Sequence, residues 1–306
     1  MVSIELRDLR WAIAAAEHRS LRQAAEVLNI RQSTLSRALR DIEHHLNAVL
    51  FERTTGGTSP TVEGREFVEA AKRIVEDTDA IIARLKKRSR GESGKLIVGV
   101  HASLLAGNLR ATLIEHHQRF PDVEIYLIDG SSDKLISYLA TSAIDVAFVV
   151  EGSHRWQGKS LSVWSERVVV ALPNDHLLAK HDVVYWSDLK AETFLLPQRG
   201  PGPEFLRLLI GKLGCPEPDR LLRHDVSLDR FLTLVGSGWG ILLVLEGATG
   251  GIFPKVVFRE VHDADGPTRL SFRAYWRNEN SKPSLQTFLG LLRQRYPDLS
   301  ADPADR

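Results

Sequence analysis

The chain has 306 residues, of which 43% are hydrophobic and 26% charged, a balance typical of a folded globular protein. No apolar run approaches the roughly 20 residues of a membrane-spanning helix, and the N-terminus mixes acidic and basic residues, unlike a secretory signal. Cys215 is the only cysteine, which excludes an intrachain disulfide and a cysteine-cluster metal site. The formal charge of +1 is the sum of +3 for residues 1–90 and −2 for the remainder, so the charge difference between the two parts is small. We therefore expect a cytoplasmic protein with no membrane partner and, if it binds nucleic acid, modest non-specific affinity.

Three short helices are predicted near the N-terminus. Apolar residues in the first recur at helical spacing: Leu6, Leu9, Ile13 and Ala16. Ser20 opens the second helix, and Gln23 three residues later predicts a capping box. The third helix has an apolar stripe for the core: Leu35, Leu39, Ile42 and Leu46. A helix, a tight turn and a second helix form the helix-turn-helix unit.

The opposite side of the third helix is polar and is called here the recognition face. Its members can donate hydrogen bonds to phosphates and to base edges: Gln32, Ser33, Ser36, Arg37 and Arg40. From the helix alone, an ordinary amphipathic helix with an Arg-rich outer surface remains an equal alternative. The stretch "FERTTGGTSPT" that follows predicts two short extended pieces around a Gly56-Gly57 turn, as in a two-stranded wing.

A single long helix is predicted from about residue 61 to residue 90, since no Gly or Pro occurs between Arg65 and Arg90. Its apolar positions are spaced four, three, four, three and four apart, and we call them the dimerisation stripe: Phe67, Ala71, Ile74, Thr78, Ile81 and Leu85. Such a stripe is best covered by a second copy of the helix. Packing of the helix on its own domain is the alternative.

Residues 91–306 predict an α/β domain. Strand-like and helix-like segments alternate from "KLIVGV" through "DVAFVV", and a second such set begins at "RVVVALP". This alternation indicates parallel sheets with crossover helices, arranged as two lobes with a crevice between them. We place lobe I at about 91–164 and 269–306 and lobe II at about 165–268, with a disordered tail after Pro297.

These residues resemble the LysR-type transcriptional regulators over almost the whole chain. The resemblance is strongest in "SLRQAAEVLNIRQSTLSRALRDIEHHLNAVLFERT" and "TVEGREF", and weaker in "LPNDHLLA" and "LVGSGWGILLVLE". It implies an α/β protein with a winged helix-turn-helix at 1–60, a linker helix at 61–90 and, at 91–306, a two-lobed effector-binding domain resembling periplasmic binding proteins. Three positions depart from the family pattern: Arg31 replaces a capping Ser or Thr, Asn47 a glycine, and Pro60 an apolar residue.

The resemblance implies binding to double-stranded DNA, with the recognition helix in the major groove. Gln32 suits an adenine, while Ser33 and Ser36 suit either base. Arg37 is expected to position phosphates with partial base contact, and Arg31 to reach a phosphate. Arg53 suits the minor groove or its flanking phosphates, and for Arg40 a solvated face is as good an interpretation as a DNA contact. The family also implies dimers or tetramers and contact with RNA polymerase.

The effector is expected to be a small carboxylate, bound where strands end and helices begin. Ser103 and Leu104 follow the first strand of lobe I, and in similar proteins the hydroxyl at Ser103 commonly contacts a ligand carboxylate. Ser131 and Ser132 occupy the next equivalent turn, and Gln198 and Arg199 the corresponding end in lobe II. Helix capping is the alternative for each serine, and a surface charge is the alternative for Arg199.

Two other classes of function are alternatives to a ligand-gated regulator. A two-lobed enzyme finds little support, because "GSGWG" fails the dinucleotide pattern at Ile241 and no nucleophile-elbow motif occurs. His101 beside Ser103 is the one pair resembling a catalytic arrangement. A ligand-independent architectural DNA-binding protein would not need a second domain with a crevice. We therefore predict a non-enzymatic regulator with no metal and no cofactor.

Overall fold

A computed structural model describes residues 4–54, 57–101, 103–152, 156–198, 200–214, 218 and 220–297. The chain divides into two compact units, residues 1–86 and 87–306. The tail after Pro297, Thr55, Gly56 and Arg199 lie outside the described residues, as do the expectations made for them.

The first unit is a winged helix-turn-helix. Its elements are α1 (Leu6–Glu17), α2 (Leu21–Val27), α3 (Gln32–Leu46), β1 (Phe51–Thr54), β2 (Gly57–Pro60) and α4 (Val62–Ser89), which crosses into the second unit. β1 and β2 are antiparallel, with Phe51 opposite Pro60. Alanines of α1 and α2 pack against Leu35, Leu39 and Ile42 of α3. Each of these three α3 residues is at most 3% exposed. The wing and the three predicted helices are therefore confirmed.

Helix ends in this unit follow from single residues. The Ser20 side chain accepts a hydrogen bond from the Gln23 backbone at 3.2 Å, which is one half of the predicted capping box. Arg31 makes no side-chain cap, and Asn47 ends α3 in the left-handed conformation (φ 50°, ψ 39°) that glycine usually takes. Leu46 was wrongly predicted as buried. It is 39% exposed because α3 ends there, where no neighbouring element covers the last turn.

The second unit alternates strands and helices. The strands are β3 (Ser93–Val100), β4 (Asp122–Asp129), β5 (Val146–Val150), β6 (Lys159–Pro173), β7 (Val183–Tyr185), β8 (Phe194–Pro197), β9 (Leu221–His224), β10 (Ile241–Leu245), β11 (Val256–Asp263), β12 (Gly266–Pro267) and β13 (Arg269–Trp276). The helices are α5 (Gly107–Arg119), α6 (Ser132–Ala140), α7 (Gly202–Leu213), α8 (Leu228–Gly236) and α9 (Pro283–Arg295). Three short 3-10 turns begin at Leu177, Trp186 and Glu246.

The two lobes share one long strand. In lobe I the strand order is β4-β3-β5-β13-β6, and in lobe II it is β6-β10-β8-β9, with β11 also paired to β6. The partner of β6 changes at Arg167 and Val168: Arg167 pairs with Arg269 of β13, and Val168 pairs with Leu245 of β10. The predicted two-lobed α/β architecture is confirmed, and the carboxyl ends of the parallel strands face a common crevice.

Some elements escaped sequence reasoning. β11 is partly exposed along most of its length, so the apolar pattern is weak, yet it pairs with five residues of β6. The helix that follows β3 begins only at Gly107, because the Ser103 side chain accepts a hydrogen bond from the Leu105 backbone and residues 104–106 form a bend.

Candidate DNA interface and effector crevice

The recognition face lies almost entirely at the surface. Gln32, Ser33, Arg37 and Arg40 are exposed, and so is Arg31 before the helix. The other side of α3 is anchored by Leu35 and Leu39, at 0% and 2% exposure. This contrast follows from the helical period, because residues three and four apart share a side. The arrangement presents hydrogen-bond donors and cations on a helix that the core holds rigidly.

Ser36 departs from the prediction for the recognition face. It is only 9% exposed, since it stands one residue after Leu35 and three before Leu39, at the border of the buried stripe. Its carbonyl oxygen accepts a hydrogen bond from Arg40 Nε at 3.2 Å, which directs that guanidinium back along the helix. A side chain so enclosed is poorly placed to contact a base, so Ser36 belongs with the packing residues.

A groove of about 500 Å³ extends the recognition face onto α1. Ser33 and Arg37 line it from α3, and Arg7 and Trp11 line it from α1. The Arg7 guanidinium lies 5.0 Å from the centre of the Trp11 ring, a cation-π contact. Sequence reasoning missed Arg7 and Trp11, because their proximity to Arg37 depends on how α1 crosses α3.

Hydrogen bonds between side chains and the backbone connect the wing to the recognition helix and to α4. Glu43 of α3 accepts hydrogen bonds from the backbone amides of Leu50 and Phe51, at 2.8 and 3.0 Å. Thr61 caps α4 by accepting from Gly64 at 2.9 Å, and a Cβ on Gly64 would stand 1.9 Å from the Leu50 carbonyl oxygen. These contacts explain why the resemblance includes these residues. Arg53 lies in β1, but its side chain is outside what the structure describes.

The dimerisation stripe divides into two parts. Ala71 is 1% exposed, and Phe67 packs against the core of the first unit, as the alternative for this helix proposed. Ile74, Ile81 and Leu85 are instead 50%, 49% and 58% exposed. The reason is geometric, since only the first turns of α4 lie against the three-helix core. Apolar side chains this exposed on a single chain need a cover that the chain itself does not provide.

A crevice of about 800 Å³ lies in the second unit, at the ends of β3, β4 and β8 and the beginnings of α7 and α8. Ser103 and Leu104 line it, as expected. Ser131, Ser132 and Gln198 are not among its lining residues, which departs from the prediction. Ser132, the first residue of α6, is only 1% exposed because it is covered by His101, which itself lines the crevice.

A buried ion pair connects the two lobes beside this crevice. His101, just after β3 in lobe I, and Glu204, in α7 of lobe II, are 1% and 6% exposed. His101 Nε2 lies 3.3 Å from Glu204 Oε2, and its Nδ1 lies 3.2 Å from the Gly130 carbonyl oxygen. Ser132 Oγ lies 3.5 Å from the same Nε2.

The electrostatic state of Glu204 follows from these neighbours. Burial raises the pKa of the Glu204 carboxyl, but the hydrogen bond and the charge of His101, with a hydrogen bond from Ser132, lower that pKa to about 2. Arg207, one turn further along α7, adds a contact to Glu204 Oε1 at 3.1 Å. Glu204 is therefore a carboxylate at neutral pH. The side chains that the structure places against His101 Nε2 are those of Glu204 and Ser132, and Ser103 lines the same crevice.

Charged residues of the crevice that sequence reasoning missed lie at the ends of strands. Asp129 ends β4 in lobe I, while Asp225 follows β9 and Arg230 lies in the first turn of α8 in lobe II. The apolar walls include Phe205 and Phe231, each 1% exposed. The strand-end rule could have found Asp129. Asp225 could not be placed, because β9 is short and was not predicted, and the position of Arg230 on the crevice wall depends on how α8 packs.

The described residues were compared with the patterns of a metal site and of a membrane-spanning helix. Among them, no three His, Cys, Asp or Glu side chains are grouped to hold a metal ion. Within the same parts of the chain, no helix combines the length and the apolar character needed to cross a membrane.

Comparison with known proteins agrees with both units. Residues 6–65 match the model of the bacterial regulatory helix-turn-helix protein, lysR family, and residues 89–297 match that of the LysR substrate binding domain. The chain is 29% identical to the HTH-type transcriptional regulator ClcR of Pseudomonas putida over 292 residues, which are 94% of this chain and 98% of ClcR. It is 26% identical to the regulator BudR of Raoultella terrigena over 290 residues, 94% and 99% of the two chains.

Solved structures share the fold. CbnR, a LysR family transcriptional regulator, superimposes with a TM-score of 0.83 at 22% identity, over 95% of this chain and all of CbnR. Full-length CbnR complexed with its target DNA superimposes with a TM-score of 0.77 at 23% identity, over 95% and 99% of the two chains. The chain therefore belongs to the LysR family of transcriptional regulators, with a helix-turn-helix DNA-binding domain followed by an effector-binding domain.

Proposed function

We propose that this regulator reads its DNA operator through α3 in the major groove, with Gln32 and Ser33 at base edges and Arg37 between base and phosphate. Arg31, Arg40 and Arg53 contact the phosphates of the DNA backbone. Arg7, on the α1 side of the protein groove, adds a further phosphate contact. The observation that carries this proposal is the exposed polar row of α3 mounted on a fully buried apolar stripe.

Two copies of the chain pair through α4, giving a homodimer or, by pairing of dimers, a homotetramer. The support is the exposed part of the dimerisation stripe, at Ile74, Ile81 and Leu85. Replacing Ile74 and Ile81 together by Asp places two charges in that interface. We expect the main species in analytical ultracentrifugation to shift to a smaller mass, whereas Arg73→Asp on the same helix leaves it unchanged. An unaltered mass for the double variant would contradict pairing through this stripe.

A small carboxylate is the proposed effector, held in the crevice by Ser103, Leu104 and Arg230 with no metal and no cofactor. Arg230 favours an anion through its positive charge, and it lies in the first turn of α8, where the helix dipole also favours negative charge. The effector changes DNA binding only as far as its affinities for the open and closed lobes differ. The protein converts no substrate, and it works in the cytoplasm with RNA polymerase as a partner at the promoter.

A selection experiment tests this function. The full chain is used to enrich binding sequences from random double-stranded DNA, and operator affinity is then measured with and without a panel of small carboxylates. We expect one enriched motif with two related half-sites and an affinity that a carboxylate changes. Ser103→Ala should weaken that response, while Ser187→Ala, at an exposed position of lobe II outside the crevice lining, should not. Failure to enrich any motif would refute the DNA proposal, and no response to any carboxylate would refute the effector proposal.

A further inference from the structure

The effector crevice carries charges of both signs, and this inference about its ligand rests on the function proposed above. His101 lines the crevice and lies 3.3 Å from Glu204. The other ionisable side chains of the lining are Asp129, Asp225 and Arg230. Because this set includes acidic and basic groups, a ligand that carries both a positive and a negative group is better matched to the crevice than a ligand with negative groups alone.

Arg230 marks the end of the crevice that suits an anion. It is the third residue of α8, where the helix dipole disfavours a cation. Asp229, beside it, already satisfies that dipole, and the pKa of its carboxyl is lowered mainly by a hydrogen bond from Ser227. The stability of α8 thus gives no reason for an exposed Arg at this position. An anion bound beside Arg230 does, since it would meet the guanidinium where Arg230 lines the crevice.

Asp129 marks the end that suits a cation. It is the last residue of β4, opposite Val100 in the register with β3, so it belongs to the wall of lobe I. Its exposed carboxylate faces a crevice whose other wall, in lobe II, holds Arg230. Opposite charges on opposite lobes select a ligand with a positive and a negative group, because such a ligand contacts both lobes at once.

We propose that the effector is a zwitterion, an α-amino acid with an apolar side chain, whose ammonium group binds Asp129 and whose carboxylate binds Arg230 and the beginning of α8. The apolar side chain lies against Phe205 and Phe231, and the crevice volume of about 800 Å³ is within the range of small-molecule sites. Because its two charged groups contact different lobes, the ligand stabilises the closed crevice. That differential affinity is what a regulatory ligand requires.

Matched ligands test the proposal on the full chain by isothermal titration calorimetry. Phenylalanine and leucine are compared with their deamino carboxylates, hydrocinnamate and isocaproate, and with their decarboxylated amines, phenethylamine and isoamylamine. We expect at least one amino acid to bind and both of its matched analogues to bind about tenfold or more weakly, a difference of about 1.4 kcal/mol. Asp129→Asn should remove the preference for the amino acid over its deamino analogue, and Arg230→Gln should weaken both carboxylates.

The control variants and the possible outcomes distinguish the zwitterion proposal from the carboxylate-effector proposal on which it rests. Asp182→Asn and Arg293→Gln change exposed residues outside the crevice and should bind like the unaltered protein. Equal binding of amino acids and deamino carboxylates, unchanged by Asp129→Asn, overturns the zwitterion proposal and leaves the carboxylate effector standing. Absence of binding by every amino acid and every carboxylate overturns both. Tighter binding of the amines alone also overturns both, because it removes the role of Arg230.

Discussion

The recognition face of the first unit and the lobe junction of the second use charge in opposite ways. Arg37 and Arg40 point outward from a helix held by apolar contacts, and α3 packs through Leu35, Leu39 and Ile42. His101 and Glu204 are enclosed, paired with one another, and join two lobes that are distant in sequence. Exposed charges add little to stability, whereas each member of a buried pair depends on the other. Function and folding should therefore separate in the first unit and remain coupled in the second.

The largest expected effect is at the buried pair. Glu204→Leu removes the buried carboxylate that His101 and Ser132 contact, and we expect the free energy of unfolding of the second unit to fall by about 3–5 kcal/mol. Chemical denaturation of the full chain, followed by a probe in that unit, measures it. The double variant His101→Leu with Glu204→Leu should recover most of the loss. If Glu204→Leu alone costs nothing, the pair does not hold the lobes together.

The next effect is a pH dependence that His116 imposes on the same unit. Its ring is 0% exposed, packs against Phe120 and Phe288, and has a pKa lowered to about 4 by burial and by the charge of His117. A histidine whose pKa is lower in the folded state than in the unfolded chain is destabilising below its ordinary pKa. Stability is therefore full above pH 6.5 and falls as the pH drops toward 4, by about 3 kcal/mol in total.

Denaturation of variants between pH 7 and pH 4 isolates this contribution. His116→Leu should flatten the dependence, while His117→Leu, on an exposed neighbour, should leave it almost intact. Glu204 acts separately and later: the stability from its low pKa is present above pH 4.5 and is lost as the pH falls through 4.5 toward 2. A profile that is unchanged in His116→Leu would show that the ring is hydrated or hydrogen-bonded in solution.

Arg37→Ala tests the separation of function from folding in the first unit. We expect operator affinity to fall by about 1–3 kcal/mol, which is roughly fivefold to 150-fold, with no change in melting temperature. Fluorescence anisotropy at several salt concentrations measures the loss. If the slope of log affinity against log salt concentration falls by the amount expected for about one phosphate contact, Arg37 contacts the DNA backbone. If that slope is unchanged, Arg37 contacts a base. Arg293→Ala is the matched control, and full operator affinity in Arg37→Ala would refute the assignment.

The smallest effect concerns the end of the recognition helix. Asn47 adopts a left-handed conformation, which costs a residue with a Cβ about 1–2 kcal/mol, less for Asn than for most. Asn47→Ala should lower the free energy of unfolding of the first unit by about 1 kcal/mol. The Asn47→Gly variant should have a free energy of unfolding equal to or higher than that of the unaltered protein. Thermal denaturation detects both. A loss of stability in Asn47→Gly would mean that the Asn side chain, and not its backbone, closes the helix.

The first unit could be predicted closely because its determinants are local. Helical spacing separated the apolar stripe of α3 from its polar face, and the αL conformation at Asn47 followed from one residue type. Ser36 and Leu46 were the exceptions, and both depend on neighbours: Ser36 sits at the border of a helix-helix contact, and Leu46 at an end that nothing covers. The alternating pattern from Lys95 likewise predicted two lobes, since parallel strands need crossover helices.

The crevice could be predicted only in part. Strand ends indicated Ser103, but not that Ser132 would be covered by His101 or that Arg230 would stand on the opposite wall. The pairing of His101 with Glu204 joins residues about a hundred positions apart, and no periodicity relates them. By itself, then, the sequence determined the helix-turn-helix, the long helix and the two-lobed architecture, because propensity and apolar spacing act over short distances along the chain. The tertiary structure alone decided which charges meet, since burial and pairing depend on how separate elements pack.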